Sequence, residues 1–527
     1  MKVREAVGDV LGELVKNHGE TVYDQVRDEM ISVVRDNLDK ELESDQDITE
    51  RMSGHQPGKL MNKEEWKKLS VWKDLDLSLE CVAKMIRNLS SDVGVVKIDL
   101  DILELVFMCT GHQNRFVRNT GFSVMTSMMS YIRHLDTDCS LVQSRDQVTG
   151  HISSGLSDQW PQVRLSAVKT CVVYLRLLSQ HHRESLFPAL LPRLCLNRYY
   201  PAEGVKIQAQ LGWRQITGDQ GQSLVTTHLD STLQLYYHTA TTHDLAAREA
   251  ACHSLRELST KLDEQLMLPH IQTIMEVLWN CVKSQPREFS SVGVDRIQDW
   301  IVRDIASVAT SFVIKRFPAE FRDKIDQFYK LYQDNMRWSD WEQLSVRQGA
   351  AISYHNLVEA YGEEVLDRLL ADVSEILEKY ETVMKDRDSE PGDNYTENSS
   401  EEEGAVLTVT ELCKHKQHQE KISQLLPLIQ RCCHSRSKPI SHFHITVVRC
   451  LTTMFTSLEK RWFKPHLDLE VILKCVAGHE SEVEARTVGQ QCLMTLSRVM
   501  GPRILRGRVE NMNNPHYLSL HDKLIQC

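Results

Sequence analysis

Apolar residues recur along this chain every three or four positions, with polar residues between them. In the first segment Val7, Val10, Leu11, Leu14 and Val15 fall on one stripe at that spacing. Such a stripe marks an amphipathic helix with one face to bury. Alternating runs closed by Asn-Gly or Asp-Gly turns, the mark of hairpins, are few. The pattern predicts an all-α chain.

A second pattern lies over the first. A small apolar residue, Arg or Lys, two variable residues and a small residue lead into an apolar helix. Val163-Arg164-Leu165-Ser166-Ala167, Val205-Lys206-Ile207-Gln208-Ala209 and Ala247-Arg248-Glu249-Ala250-Ala251 are three copies. Val302-Arg303-Asp304-Ile305-Ala306 and Val346-Arg347-Gln348-Gly349-Ala350 are two more, and Val117-Arg118-Asn119-Thr120-Gly121 is a looser one. Their starts are 46, 42, 42, 55 and 44 residues apart. A period of roughly 40–47 residues is that of helical-pair repeats. Each such pair cannot bury its stripe alone, so neighbours stack into a continuous core.

The segments resemble HEAT repeats, whose second helix typically begins with a Val-Arg-x-x-Ala pattern. The clear copies span about 98–365, with weaker ones at Val3-Arg4-Glu5-Ala6 and Ala485-Arg486-Thr487-Val488-Gly489. The resemblance implies an α-solenoid of stacked antiparallel helix pairs, of HEAT/armadillo type. Small residues such as Ala167, Ala209 and Ala251 would permit close helix approach. Asp158, Asp244, Asp299 and Asp340 stand a few residues before their motifs. There each could receive a motif Arg as part of a structural ladder.

The chain divides on this reading into N-terminal helices (1–41), a polar linker (42–66), a solenoid (67–385), an acidic disordered linker (386–404) and C-terminal helical repeats (405–527). Val3 sits where a second helix begins, so a first helix is owed to α-stripe 3–15. The expectation is either an amino-terminally shortened form of a longer solenoid or a first segment docked on something else. Pro188, Pro192 and Pro269 are expected near helix starts, where a missing N–H is tolerated.

Charge changes the picture little. The net charge is −11, but segment 386–403 alone holds eight acids and one base, leaving the remainder close to neutral. No dominant nucleic-acid footprint is therefore expected. No run approaches the roughly 18 apolar residues of a membrane span. The first twenty residues lack a secretory core and cleavage site. Fourteen cysteines include no CxxC pair. Cys171, Cys252 and Cys492 read as reduced core residues of a cytoplasmic or nuclear protein, and the sequons at Asn88, Asn394 and Asn398 as chance.

Candidate chemistry is sparse. No Walker loop, GxGxxG, GxSxG or HExxH occurs, so no enzyme and no cofactor is expected. Cys413, His415, His418, Cys432, Cys433, His434, His442 and His444 offer zinc-type ligands. Their spacing matches no closed site, and the preferred reading is a solvated stretch at His415 and His418 beside a helix that Cys432 and Cys433 end. Ser399 and Ser400 have acids three residues on, a pattern suited to an acid-directed kinase. Tyr199 and Tyr200, and Trp338 and Trp341, lie in turns between paired helices. They either contact partners, where aromatic residues dominate, or close the turn on their own repeat.

The function expected is a non-catalytic scaffold or adaptor displaying a curved surface to other proteins. Segment 190–260, through Arg198-Tyr199-Tyr200, Pro201, Trp213, His228-Leu229-Asp230 and Arg248-Glu249-Ala250-Ala251, is similar to parts of the large HEAT adaptors that attach proteasomes to other machinery. That resemblance implies a place in such an assembly. The rival is a transport or chaperone-like receptor binding cargo reversibly, which would want acids along the second helices. Glu249, Glu257 and Asp304 are the ones present.

Overall fold

The computed structural model describes residues 2–38, 63–89, 100–131, 144–283, 295–339, 343–387, 399–432, 442–470, 472–473 and 483–525. Among these residues there is no strand. The helices pair antiparallel and stack, forming an α-solenoid of HEAT type. The chain splits into two compact units, Met1–Leu255 and Arg256–Cys527.

In the first unit the helices of ten or more residues are α1 (Lys2–His18), α2 (Glu20–Leu38), α3 (Lys63–Asn88), α4 (Leu100–Thr110), α5 (Arg115–Tyr131), α6 (Arg145–Gly155), α7 (Pro161–Leu177), α8 (Gln180–Asn197), α9 (Glu203–Thr217), α10 (Leu229–Ala240) and the start of α11 (Leu245–Lys261). Second helices form one row, α1 on α3, α3 on α5, α5 on α7 and α7 on α9. First helices form another, α4 on α6, α6 on α8 and α8 on α10. One hydrophobic core runs between the rows from Val15 to Ile216.

α7 shows why the motif produces this arrangement. Trp160 is extended, and Pro161 opens the helix where its missing N–H costs nothing. Val163, Ala167, Val168, Cys171 and Leu175 are then buried at helical spacing. The fifth motif place is the point of closest approach. A Cβ on Gly121 would stand 3.0 Å from both Cys109 Cβ and Thr110 N of its own first helix. A Cβ on Gly155 would stand 2.8 Å from Ala167 Cβ. Small residues recur there because a larger one would push the paired helices apart.

The second unit continues with α12 (Ile271–Lys283), α13 (Asp295–Arg316), α14 (Ile325–Met336), α15 (Leu344–Tyr361), α16 (Glu363–Arg387), α17 (Ser400–Leu412), α18 (His442–Ser457), α19 (Val483–Met500), α20 (Pro502–Asn511) and α21 (Pro515–Ile525). Its second-helix row is α13, α15, α17, α18 and α19, each packed on the next. Gly362, at φ 68°, ends α15 and lets the chain turn directly into α16.

Several sequence expectations shift. Pro188 and Pro192 lie inside α8, not at its start. The helix begins at Gln180, nucleated on a polar first turn that apolar periodicity does not register. Residues 63–66 open α3, while most of 42–66 lies outside the described residues. Residues 386–387 end α16 and 400–404 begin α17; 388–398 lie outside the described residues. α13 begins seven residues before its motif, so Val302 is interior to the helix.

Candidate protein-interaction surface

The motif arginines are structural, and their bonds define the turn edge of the stack. Arg118 donates from NH1 to the carbonyls of His112 and Gln113 in its own turn, at 2.9 and 3.1 Å. Its Nε and NH2 reach forward to both oxygens of Asp158, at 2.7 and 3.1 Å. Arg164 holds Leu156 O at 2.9 Å and donates to Asp158 O, then reaches Asp244 Oδ2 at 3.1 Å. It thereby passes over the turn at 198–202, which carries no acid, and its guanidinium lies 4.3 Å from the Tyr200 ring centre. Arg347 donates to Trp338 O at 3.0 Å and to Glu403 Oε2 at 2.8 Å.

Asp158 and Asp244 thus stand on the ladder. Asp340 lies outside the described residues, and Asp299 falls within α13 instead of a turn. The rung expected from them is supplied by Glu403, in the first turn of α17. Glu403 also accepts from His442 Nδ1 at 2.8 Å and Thr446 Oγ1 at 3.0 Å. Sequence reasoning placed Glu403 in a disordered acidic run because charge density hides a single buried acid. Among the described residues no acid pairs with Arg303; it lies over the Trp338 ring at 5.3 Å, and its Nε is buried without a partner.

The turn aromatics divide between the two readings left open for them. Tyr200 is 2% exposed beneath Arg164, and burial pushes its hydroxyl up to about 12. It closes its own repeat. Tyr199 is half-buried and stacks on His253, ring centres 5.8 Å apart. Arg198 lies 5.5 Å from the Tyr199 ring and 4.6 Å from the Trp213 ring. Trp338 is half-buried, donating from Nε1 to Gln343 Oε1 at 2.8 Å. Trp341 lies outside the described residues.

On α9, Ile207 and Leu211 are each 47% exposed. They stand one turn apart, with Gln210 and Arg214 exposed on the same helix. Exposed aliphatic pairs beside aromatic and Arg side chains are the composition of protein interfaces. Periodicity missed them, because Ile207 and Leu211 lie off the buried stripe of Val205, Ala209 and Ile216. The available signal was an apolar residue at the third motif place, which is Asn119, Glu249, Asp304 or Gln348 in four other copies.

Two of the three acids along the second helices, Glu249 and Asp304, are drawn inward. Burial raises Glu249 above the ordinary carboxylate range and takes Asp304 to about 7. The metal-type side chains do not assemble either. Among the described residues no group of three or more could hold an ion, and Cys433 and His434 lie outside them. Burial pushes the thiols of Cys432 and Cys450 to about 12 and Cys413 well above its usual value. His415 is buried, not solvated as expected. Its ring lies 4.1 Å from that of His355, and burial followed by the His355 charge takes it down to about 4. Ser400 is buried, donating to Ser339 O at 3.2 Å, so a kinase reaches it only if the first turn of α17 opens. Ser399 precedes that turn, half-buried.

No helix among the described residues is long and apolar enough to cross a membrane. No protein-family model and no curated protein matches the sequence. Similar solved structures include karyopherin chains named Kap121p. One, bound to Nup53p, is 14% identical with a TM-score of 0.47, covering 99% of this chain and 49% of that one. One bound to RanGTP is 13% identical with a TM-score of 0.45, covering 99% and 49%. One bound to the SUMO protease Ulp1p is 13% identical with a TM-score of 0.44, covering 100% and 53%. The chain spans about half the length of these karyopherins. A likeness at this level says nothing of partners or activity.

Proposed function

We propose that this chain is a non-catalytic protein-interaction scaffold, and that α9 presents the contact. The carrying observation is the exposed pair Ile207 and Leu211 on α9, the helix that also holds Trp213 against Arg198. Water-exposed aliphatic area of that kind gains free energy when a partner removes it from water. Trp338 is a second contact on this reading, and Ser399 a regulatory site at the margin of α17. The thiols fit a non-catalytic reading: burial takes Cys109, Cys171, Cys432 and Cys450 to about 12, so none of these four is a thiolate at neutral pH. A cytoplasmic or nuclear location fits these reduced, buried cysteines.

The finer reading places the scaffold in a large assembly such as the proteasome. Its support is that the patch falls within segment 190–260, where the sequence resembles proteasome adaptors. Proximity labelling in cells tests both levels, comparing the chain with an Ile207→Asp, Leu211→Asp variant. A coherent set of subunits from one complex, lost in the variant, is expected. The same set in both would overturn the assigned surface. A broad, changing set of clients would favour reversible cargo transport instead.

A further inference from the structure

In the first unit a cavity of about 490 Å³ opens between the turn before α7, the C-terminal end of α8 and the turn between α10 and α11. That is the size of a small-ligand site. Leu156, Leu196 and Leu235 supply apolar wall. Arg164 and Asp244 also line it, but they pair with each other at 3.1 Å and so cancel. The charge left on the wall belongs to Arg193.

Arg193 comes from the last turns of α8 and is half-buried. Its NH1 donates to Ala189 O of its own helix at 2.8 Å. Its Nε is buried with no acceptor, and no carboxylate among the described residues pairs with it. A guanidinium partly removed from water without a counter-ion is an expensive arrangement. An incoming acceptor with two oxygens in a plane matches its fork. Gln159 and Ser157, both exposed at the rim, have hydrogens to give the same group. One uncompensated positive charge suits a monoanion better than the dianion of a phosphate ester. The leucine wall suits a short methylene stem.

We propose that this cavity binds a carboxylate on a short apolar stem, with Arg193 as its counter-ion. The source is either a glutamate side chain of a partner or a free small acid. The site stands independently of the scaffold reading, since carboxylate binding and partner labelling can each fail without the other.

The test is calorimetric titration of the full chain with glutarate, with a capped Gly-Glu-Gly peptide, with its Gly-Gln-Gly counterpart, and with inorganic phosphate. Saturable one-to-one binding of glutarate or the Glu peptide is expected, at least tenfold tighter than the Gln peptide. Glutarate alone would assign a free acid, and the Glu peptide alone a partner side chain; either supports the site. Arg193→Gln should weaken binding at least tenfold, and Arg193→Lys should restore part of it. Leu235→Trp, which fills the cavity while keeping Arg193, should abolish binding and decides the matter if Arg193→Gln does not fold. No saturation by either carboxylate up to about 10 mM, weaker than any useful affinity, would overturn the proposal. So would phosphate binding tenfold tighter than carboxylate, or binding unchanged in both Arg193→Gln and Leu235→Trp.

Discussion

Arg347 is fully buried, and the carboxylate it meets, Glu403, is 6% exposed. Removing one member of a buried pair leaves the other charged in a medium that cannot solvate it. Arg347→Ala is therefore expected to cost about 3–5 kcal/mol, read from denaturant unfolding. A loss under about 1 kcal/mol would mean that water reaches Glu403. Asp304 has the opposite problem. Its Oδ1 is buried without a partner, facing α15 at Gly349, and its pKa rises to about 7. The folded state then holds this proton more tightly than the unfolded chain, so stability falls as pH rises from about 4 to 7. Asp304→Asn should raise Tm at pH 8 by roughly 2–4 °C or more and change it little at pH 4. His355 and His415 run the other way. Burial lowers both from the usual imidazole value, His415 to about 4. Their contribution is present above about 6.5 and is lost as pH falls toward 4. Glu359, Glu411, Lys315 and His418 surround the pair and set its balance. His415→Gln should flatten the stability profile over that window; a profile of unchanged slope would place the titration elsewhere.

Among the helices, α17 shows best how far sequence patterning reaches. It carries no Val-Arg-x-x-Ala, so it reads as the tail of an acidic run, yet it packs in the second-helix row between α15 and α18. It has Glu403 where its neighbour α15 has Arg347, and that exchange of charge keeps the rung while erasing the motif. Gly404 shows how close the fit is. A Cβ there would stand 2.1 Å from Met336 O, a backbone atom that cannot swing away. Gly404→Ala should destabilise by about 1–3 kcal/mol despite improved helix propensity. Calorimetric unfolding checks this, and a stabilised variant would show that α14 and α17 separate freely. α8 is the complementary case. Its two prolines point to a helix start, but burial of Leu186, Phe187, Leu190, Leu191 and Leu194 on one side holds one continuous helix from Gln180.

Each unit of the molecule stacks its own helices, and the contact proposed on α9 lies on side chains that this stacking leaves exposed. Ile207→Asp with Leu211→Asp is expected to leave Tm within about 1 °C, because exposed positions shift stability by only about ±0.5 kcal/mol, while partner labelling is lost. A large fall in Tm would show instead that α9 uses those side chains for packing.

Period and motif are properties of the chain, and the sequence by itself determined them. Apolar residues every three or four positions can be buried only as helices, and a repeat of some 44 residues can be buried only by stacking. Those two facts established the all-α solenoid, the second-helix row and the rungs at Asp158 and Asp244. Which residues remain at the surface was decided by tertiary structure alone. Burial depends on what the neighbouring repeat supplies, and that neighbour is some 40 residues away in sequence. So Tyr200 goes under Arg164, His415 packs against His355, Glu403 becomes a buried rung, and Ile207 and Leu211 stay half in water. Arg164 reaches on to Asp244 for the same reason: the turn that would have supplied an acid carries Tyr200 and Pro201 instead.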